Sequence, residues 1–316
     1  METDPAPLAS KVEVFAPCSA ALDLTKLILF QPFNLSKWFV IGFAAFLSHL
    51  NGGGGGSFNW NSKLGRTNWS FRSVTHDAYG SLGDIPSWVF PLIAIGAILG
   101  LAFLLLLMWL GARGKFIFTD CVVRNRGAIE EPWREYRREG NSYFLYSLVV
   151  MLCVVAVLAL VGMPLWLPLL HNHEPPAGAS LVLGLILLGG AALVAAVVVK
   201  VVSNFMIPLM YRRRCGAAEA LSAALGLIAT HAGPVILYVL FNLVLWLAFA
   251  LIACLTTCLT CCLTALPYVG TVILLPAHVF FLSYLLLFVR QFGPDCDVWA
   301  SIVRPTEPPP PPVLPA

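Results

Sequence analysis

Four cysteines lie close together near the end of a long apolar segment, in the sequence CLTTCLTCCLT. Cys254, Cys258 and Cys261 fall on one face of a helix at i, i+4 and i+7, and Cys262 follows directly. Thiolates bind soft metals, and the CLTC spacing is that of a redox pair. However, no histidine or carboxylate is near, and Cys and Thr are common small residues at helix contacts in membranes. We therefore expect these thiols to pack helices and to hold no metal.

A second group of possible ligands is the sequence HNHE, which contains His171, His173 and Glu174. Imidazole and carboxylate groups can bind zinc, but two histidines at i, i+2 before Pro175 are more typical of a turn. The sequence has no HExxH, GxSxG or P-loop motif. We therefore expect no catalytic residue, no metal and no cofactor, and we expect the chain not to be an enzyme.

Lys200 is the only residue of permanent charge inside a long apolar run. Burying such a charge in a bilayer costs at least about 2.5 to 3.5 kcal/mol, so it is a candidate for function. Arg212 follows twelve residues later, about 18 Å along a helix, which is far for a snorkelling stem. Asn204, Asn242 and His278 could line the same interior as a polar path, although single polar residues in membranes often bond across helices. No Asp or Glu lies in an apolar run to pair with Lys200, which weakens a proton-coupled transporter.

These residues must be positioned by membrane-spanning helices. Apolar residues make up 59% of the chain and charged residues only 11%, far from the composition of a soluble domain. The net charge of +3 gives no reason to expect nucleic acid as a partner. The sequence predicts an all-α polytopic membrane protein with six spans near 36–50, 88–110, 143–170, 180–209, 234–262 and 268–289. The first is the shortest and needs neighbouring residues or a thinner bilayer to cross.

Polar, proline-rich segments flank the membrane domain. Residues 1–16 lack the basic start and apolar run of a signal peptide, so we expect a retained, disordered N-terminus. Residues 17–293 form the predicted membrane domain, in which an amphipathic stretch up to Phe30 suits a helix at the interface. Residues 294–316 form a tail that closes with Pro308 to Pro312, and we expect it to be disordered.

The distribution of Lys and Arg predicts the orientation in the membrane. With the N-terminus inside, 15 of the 19 cations lie in inside segments, while Lys63, Arg66 and Arg72 lie outside and Lys200 lies in a span. This asymmetry predicts both termini in the cytoplasm and a location in the cell (inner) membrane.

The cytoplasmic segments also suggest a repeated unit, in which an amphipathic segment is followed by a span going out and a span coming back. The three joins align on a glycine with an arginine three residues earlier: Arg124 and Gly127, Arg213 and Gly216, Arg290 and Gly293. The alternative is that all helical hairpins in membranes look alike. Arginines facing anionic lipid gain about 1 kcal/mol each, so the candidate head-group contacts are Arg124, Arg126, Arg213 and Arg290. A salt-bridged helix face through Glu130, Arg134 and Arg138 is the alternative for this region.

Three stretches of the chain resemble an uncharacterised family of bacterial multi-span membrane proteins. They are SKVEVFAPCSAALDLTKLILFQPFNLSKWFVIGF, GKFIFTDCVVRNRGAIEEPWREYRREGNSYF and LPYVGTVILLPAHVFFLSYLLLFVRQFGP. More remotely, the repeated layout is similar to the membrane domain of some bacterial glycerophosphodiester phosphodiesterases. The resemblance covers most of residues 10–294 and implies the class of protein, but it supplies no catalytic residue because the phosphodiesterase barrel is absent.

Two functions follow as hypotheses. The first is a non-enzymatic multi-pass protein whose helices and basic interfacial segments organise anionic lipid or partner proteins. The alternative is a transporter or channel whose polar path surrounds Lys200. An intramembrane enzyme based on the cysteines is the least favoured. A water-wide cavity that reaches Lys200 would favour transport, and a tightly packed interior would favour the first hypothesis.

Overall fold

The computed structural model describes the backbone of residues 12–50, 89–172, 178–259 and 266–300, with side chains described outside residues 165–180 and Pro267. Within these residues the chain is helical and contains no strand, so the predicted all-α class is confirmed. The helices are α1 (Ala16–Phe30), α2 (Leu35–His49), α3 (Val89–Val123), α4 (Glu130–Glu135), α5 (Arg137–Asn172), α6 (Gly178–Arg213), α7 (Ala217–Thr230), α8 (Ala232–Leu259), α9 (Pro267–Ile273) and α10 (Leu275–Arg290), followed by a 3₁₀ turn at Pro294–Cys296.

Four of these helices are long and apolar enough to cross a membrane: Val89–Val123, Arg137–Pro164, Leu181–Arg213 and Ala232–Leu259. Even the shortest, with 28 residues, extends about 42 Å, against about 30 Å of hydrocarbon. The predicted segments 88–110, 143–170, 180–209 and 234–262 overlap these helices one by one. Helix α3 runs well beyond the predicted limit of 110, because its later charged residues find partners on neighbouring helices.

The other two predicted spans correspond to shorter helices. Helix α2 has 15 residues, and the predicted span 268–289 is divided between α9 and α10 at Leu274. Pro276 lies in the first turn of α10. A proline there lacks the N–H that would continue a helix from α9, and its ring crowds the preceding turn. The structure thus has four helices of clear membrane length, and a count of six spans remains a prediction.

The buried core lies at one end of the long helices. In α3 the mostly buried stretch begins at Gly111, and in α6 the buried residues other than Gly184 begin at Val202. Helix α1 packs against α10, while α2 packs between α3 and α9. By contrast, the half of α3 that begins at Phe90 exposes Leu, Ile and Phe side chains along its length. Exposed apolar surface of that extent requires lipid or another apolar partner.

Helices α2 and α3 approach each other at backbone distance. A Cβ atom on Gly114 would lie 2.5 Å from the backbone carbon of Leu47 and 2.7 Å from the backbone nitrogen of Ser48. On the other side of α2, a Cβ on Gly42 would lie 2.9 Å from the Val272 side chain in α9. The absence of side chains at these two glycines lets α2 fit between its neighbours.

Ordered structure extends past both predicted limits of the membrane domain. Val14 and Val298 are buried, and Tyr284 donates a hydrogen bond from its hydroxyl to the Val14 carbonyl at 3.1 Å. The Glu13 backbone exchanges two hydrogen bonds with the Gln291 side chain. Residues 12–16 and 294–300 therefore belong to the folded unit, because they cover the end of α10.

Two of the three predicted repeat joins share a backbone feature. Asn125 and Arg214 both have a left-handed conformation, with φ of 51° and 53°, and each precedes the aligned glycine by two residues. The equivalent residue in the third unit, Gln291, has an ordinary φ of −68°, and the left-handed residue there is Gly293. The first two joins thus support a common plan, and the threefold repeat stays a prediction.

Candidate functional site

A fully buried carboxylate organises the end of the bundle where α3 and α6 finish. Asp120 in α3 accepts a hydrogen bond at Oδ1 from the Tyr211 hydroxyl at 3.0 Å, and the same oxygen forms an ion pair with Arg124 Nε at 3.0 Å. Its Oδ2 accepts from two nitrogens of Arg126 at 3.1 and 3.0 Å. A buried charge stabilises a fold only when it is well paired, and this carboxylate is paired at both oxygens.

The cluster continues to helix α4 and the end of α6. Arg124 also contacts Glu135 at 2.8 Å, and Arg214 pairs with the same carboxylate. The Arg214 guanidinium lies 3.8 Å from the centre of the Tyr136 ring, which stacks on Tyr211 at 4.8 Å. One network of charges and rings therefore joins α3, α4, α5 and α6.

The electrostatics of the two arginines outside the apolar segments follow from this network. Partial burial by itself opposes the charged form of Arg124, but the charges of Asp120 and Glu135 and the neighbouring Tyr136 and Tyr211 together outweigh it and raise the pKa of Arg124. Burial likewise opposes the charge of Arg126, and the hydrogen bond and charge of Asp120 raise its pKa. Both guanidinium groups are therefore held in the charged state.

Each of the four predicted head-group arginines has a carboxylate neighbour. Besides the pairs above, Arg213 lies 3.9 Å from Asp295, and Arg290 lies 3.0 Å from Asp297. Their side chains remain between 28% and 54% exposed, Arg290 the most. The arginines are thus held at one end of the bundle by acids, with part of each guanidinium left for another anion. Contact with lipid head groups stays a prediction.

The charged face predicted in the cytoplasmic loop is present in part. Arg134 and Glu130 form an ion pair at 3.1 Å on α4. Arg138 lies on the next helix, because the chain turns at Tyr136 between α4 and α5.

The residues of the predicted polar path lie in separate places, and the two asparagines lie together at Tyr238. Asn242 donates to the Tyr238 hydroxyl at 3.2 Å, and Asn204 bonds the same hydroxyl. Tyr238 is buried and stacks on Tyr284 and Phe288, with ring centres 5.5 and 4.5 Å away. The two asparagines therefore satisfy a buried phenol in an aromatic stack.

His278 lies at the second place, against a histidine that the sequence analysis did not single out. The rings of His278 and His49 meet edge to face with centres 4.5 Å apart. In each ring Nδ1 faces a carbonyl of its own helix, Leu274 at 2.8 Å and Ala45 at 2.6 Å, so Nδ1 carries the hydrogen. Nε2 is then an acceptor, and Nε2 of His278 is buried with no hydrogen-bond partner among the described residues.

Lys200 lies on α6, two residues before the buried stretch that begins at Val202. Its side chain is exposed, among the exposed apolar residues Val197 and Val198 of the same helix. A second lysine, Lys115, lies on α3, which contacts α6.

Lys115 is held by a buried tyrosine. Its ammonium group donates to the Tyr143 hydroxyl at 2.8 Å, and Tyr143 also bonds Ser203. Tyr143 is 1% exposed and Ser203 is 6% exposed. Sequence reasoning missed Lys115 because it had placed the residue in a loop beyond 110.

A further buried cation is held by aromatic rings. The Arg113 guanidinium lies 4.4 Å from the Trp109 ring and 4.9 Å from the Trp133 ring. Asn141 accepts two of its hydrogen bonds at 3.2 and 3.0 Å. The spacing of Trp109 and Arg113, four residues apart on one helix, was the signal available in the sequence.

The possible metal ligands of the sequence do not form a described site. Cys254 and Cys258 are exposed on α8, so the packing expected for them is not seen among the described residues. Cys261, Cys262 and the side chains of the HNHE sequence lie outside those residues. Across the described part of the chain, no three His, Cys, Asp or Glu side chains group as a metal site.

These features define an all-α protein with four helices of membrane length joined by a charged network at one end. The chain belongs to DUF7544, a family of unknown function whose model matches residues 14–298. The membership confirms the resemblance to an uncharacterised family, and the matched range begins and ends at the buried residues Val14 and Val298. No curated protein and no solved structure matches the chain, so the remote similarity to phosphodiesterase membrane domains stays a prediction.

Proposed function

We propose that this chain is a multi-pass protein of the cell membrane that catalyses no reaction and organises anionic lipid or partner proteins at its cytoplasmic face. In this proposal the chain crosses six times, with both termini in the cytoplasm. The four long apolar helices support membrane insertion, and the uneven distribution of Lys and Arg supports the orientation.

The observation that carries the proposal is the position of the ion pairs. Every ion pair between described residues lies in a segment that the charge distribution assigns to the cytoplasm. The ion pairs fix the inner ends of the long helices to one another. The outer parts of these helices expose apolar surface. Such a charged edge suits binding to anionic head groups or to a protein surface.

The two shorter crossings are proposed for α2 and the α9–α10 pair. At 15 and 16 residues, α2 and α10 extend about 22 and 24 Å, which requires a locally thinner bilayer. The two helices meet through His49 and His278, so they occupy the same depth. Two crossings at these places keep both termini on the side that carries the arginines.

A lipid-enrichment experiment tests the proposal. The full chain is purified in mild detergent, and its bound lipids are compared with those of the source membrane by mass spectrometry. We expect anionic lipids to be enriched and the enrichment to fall several-fold in Arg213→Gln/Arg290→Gln. The control is Arg134→Gln, since Arg134 is 79% exposed and its one ion pair among the described residues is with its helix neighbour Glu130.

The transporter remains the second candidate because the rings of His49 and His278 meet 4.5 Å apart and the Lys115 ammonium group bonds Tyr143, so polar side chains lie together inside the bundle. Reconstitution in liposomes distinguishes the two functions. Absence of anionic-lipid enrichment together with a solute flux that Lys200→Met abolishes would replace our proposal by transport.

A further inference from the structure

We propose that the turn between α1 and α2 is a surface that docks into the anionic head-group layer of the inner leaflet. The surface, which we call the aromatic turn, consists of Phe30, Phe33, Leu35 and Trp38. The inference rests on the proposed function and deepens it, because it assigns lipid contact to a surface apart from the arginines at the ends of α3, α6 and α10.

The first step is the geometry of the rings, for which Trp38 is the base. Its indole nitrogen donates to the Val272 carbonyl on α9 at 3.1 Å, and its ring meets those of Phe30 and Phe33 with centres 5.5 and 5.7 Å away. Phe30, Phe33 and Leu35 are exposed beside this base. Apolar side chains that are grouped and exposed mark a surface that another molecule covers.

The second step is the level of the aromatic turn along the bundle. The Lys37 ammonium group donates to the Asn125 side-chain oxygen at 2.6 Å and to the Ile28 carbonyl at 2.8 Å. A Cβ atom on Gly127 would lie 3.1 Å from the Lys37 Cα atom. Asn125 directly follows Arg124, which marks the proposed inner surface. The aromatic turn is therefore held at the level of the head groups, where tryptophan side chains are enriched.

The third step is the charge that Lys37 brings to this surface. No ion pair between described residues includes Lys37, and its two hydrogen bonds go to uncharged oxygens. An ammonium group has three donors, of which described residues use two. A basic group beside the anionic surface of the inner leaflet is favourable. The charge therefore favours an anionic lipid layer over an apolar protein surface as the partner.

The fourth step is the continuity of the apolar surface along α2. Leu35, Phe39 and Phe43 follow at i, i+4 and i+8, so they share one face of the helix, and all three are exposed. This stripe leads from the aromatic turn into the part of α2 that is proposed to cross the bilayer. A partner that covers both ends must offer charged groups at one end and hydrocarbon at the other, as a lipid leaflet does.

The depth of a nitroxide label in nanodiscs tests the docking in the full-length chain. A single cysteine replaces Leu35 in a variant whose native cysteines are Ser or Ala, and a second protein carries it at Glu130, which is 84% exposed on α4. The nanodiscs contain dioleoyl phosphatidylcholine and dioleoyl phosphatidylglycerol. Power-saturation EPR measures how often the label collides with oxygen, which concentrates in lipid, and with a nickel chelate, which stays in water.

We expect the label at position 35 to collide more with oxygen and the label at position 130 to collide more with the nickel chelate. The change Phe30→Ala/Phe33→Ala should raise the nickel collisions at position 35 several-fold, because it removes the exposed rings. The matched control is Phe90→Ala/Phe103→Ala, since the exposed fractions are 54% and 61% on α3 against 49% and 60% at the turn. This control should leave position 35 unchanged.

The preference for anionic lipid is measured on the same labelled protein. The nitroxide broadens the ³¹P signals of nearby head groups, and we expect it to broaden phosphatidylglycerol several-fold more than phosphatidylcholine. Lys37→Met should remove this difference and Lys37→Arg should keep it. The control Lys26→Met removes an exposed lysine that pairs with Asp23 at 3.3 Å, and it should change nothing.

A label at position 35 that collides mainly with the nickel chelate would place the aromatic turn in water and overturn the proposal. Equal broadening of the two lipids, or loss of the difference in Lys37→Arg, would also overturn it. If Lys37→Met does not elute as one species, the wild-type and Lys37→Arg results decide. Failure here leaves the proposed function intact if Arg213→Gln/Arg290→Gln still lowers the enrichment of anionic lipid, because those residues lie outside the aromatic turn.

Discussion

Asp120 shows how a single residue can hold several helices together. It is fully buried, and its two oxygens bind Arg124, Arg126 and Tyr211. Loss of its charge would leave two guanidinium groups without their main partner in a poorly solvated place. Removal of one member of a buried ion pair typically lowers the free energy of unfolding by about 3 to 5 kcal/mol.

We therefore predict that Asp120→Asn lowers the stability of the detergent-purified protein by about 3 kcal/mol, with the amide keeping the shape of the side chain. The measurement is the temperature at which half of the protein stays monodisperse after heating. Asp23→Asn is the control, because Asp23 is exposed in a pair with Lys26, and it should melt like the wild type. Equal melting of all three proteins would show that Asp120 is not the centre of the network.

The cysteines give a second prediction for single residues. Replacing Cys254, Cys258, Cys261 and Cys262 together by Ala or Ser should leave membrane insertion and abundance nearly unchanged, since the two described thiols are exposed on α8. Quantitative blotting of membrane fractions measures both. A stoichiometric metal in the wild-type protein that the fourfold variant lacks would establish a metal site.

The sequence indicated some of these residues and missed others for a physical reason. Lys200 was found because a charge in an apolar run is unusual. Asp120, Lys115 and Arg113 were missed because charged residues after an apolar run suggest that a helix has left the membrane. Their partners, Tyr211, Tyr143 and Asn141, lie on other helices, so only the tertiary structure shows that the charges are satisfied within α3.

At the scale of elements, the contact between α2 and α3 depends on a glycine. A methyl group on Gly114 would collide with the backbone of Leu47 and Ser48, which cannot move as a side chain can. By contrast, nothing among the described residues lies within 4 Å of a Cβ at Gly96 in the exposed half of the same helix. The GxxxG sequence at Gly96 and Gly100 therefore makes no close contact in the described structure.

We predict that Gly114→Ala destabilises the protein by about 1 to 3 kcal/mol, the usual cost of overpacking. Gly96→Ala is the matched control and should be neutral or slightly stabilising, since alanine favours helix over glycine. Thermal stability in detergent is again the measurement. If Gly96→Ala destabilises the protein more than Gly114→Ala does, the arrangement of α2 against α3 is incorrect.

The positions of the long helices could be predicted from their apolar runs. The residues at which the helices begin and end could be predicted less well. The four long helices each contain a predicted span, because their apolar runs exceed the thickness of a bilayer. The break at Leu274 was missed although Pro276 was visible, since prolines are tolerated inside membrane helices. The amphipathic stretch before Phe30 was predicted at the interface, but α1 buries Ala21 and Ile28 where it packs against α10.

For the whole molecule, the arginines at the three joins offer a test of the common plan. Arg124 and Arg214 share Glu135, while Arg213 and Arg290 pair with Asp295 and Asp297, which are two residues apart. We predict that Arg124, Arg213 and Arg290 lie in one interfacial layer about 10 Å deep, the scale of a head-group region. Spin labels at these positions in nanodiscs, with depth measured by paramagnetic relaxation, should report one depth. A label near the mid-plane or at the opposite surface would refute the threefold repeat.

The central claim is a six-span protein with both ends in the cytoplasm, and cysteine accessibility in intact cells tests it most directly. Single cysteines replace Ser57, Ala177 or Ser301, which lie outside the described residues, in a variant whose native cysteines are Ser or Ala. A membrane-impermeant maleimide should label positions 57 and 177 in intact cells and position 301 only after the cells are opened. Labelling of position 301 in intact cells, or protection of position 57 there, would contradict the proposed topology.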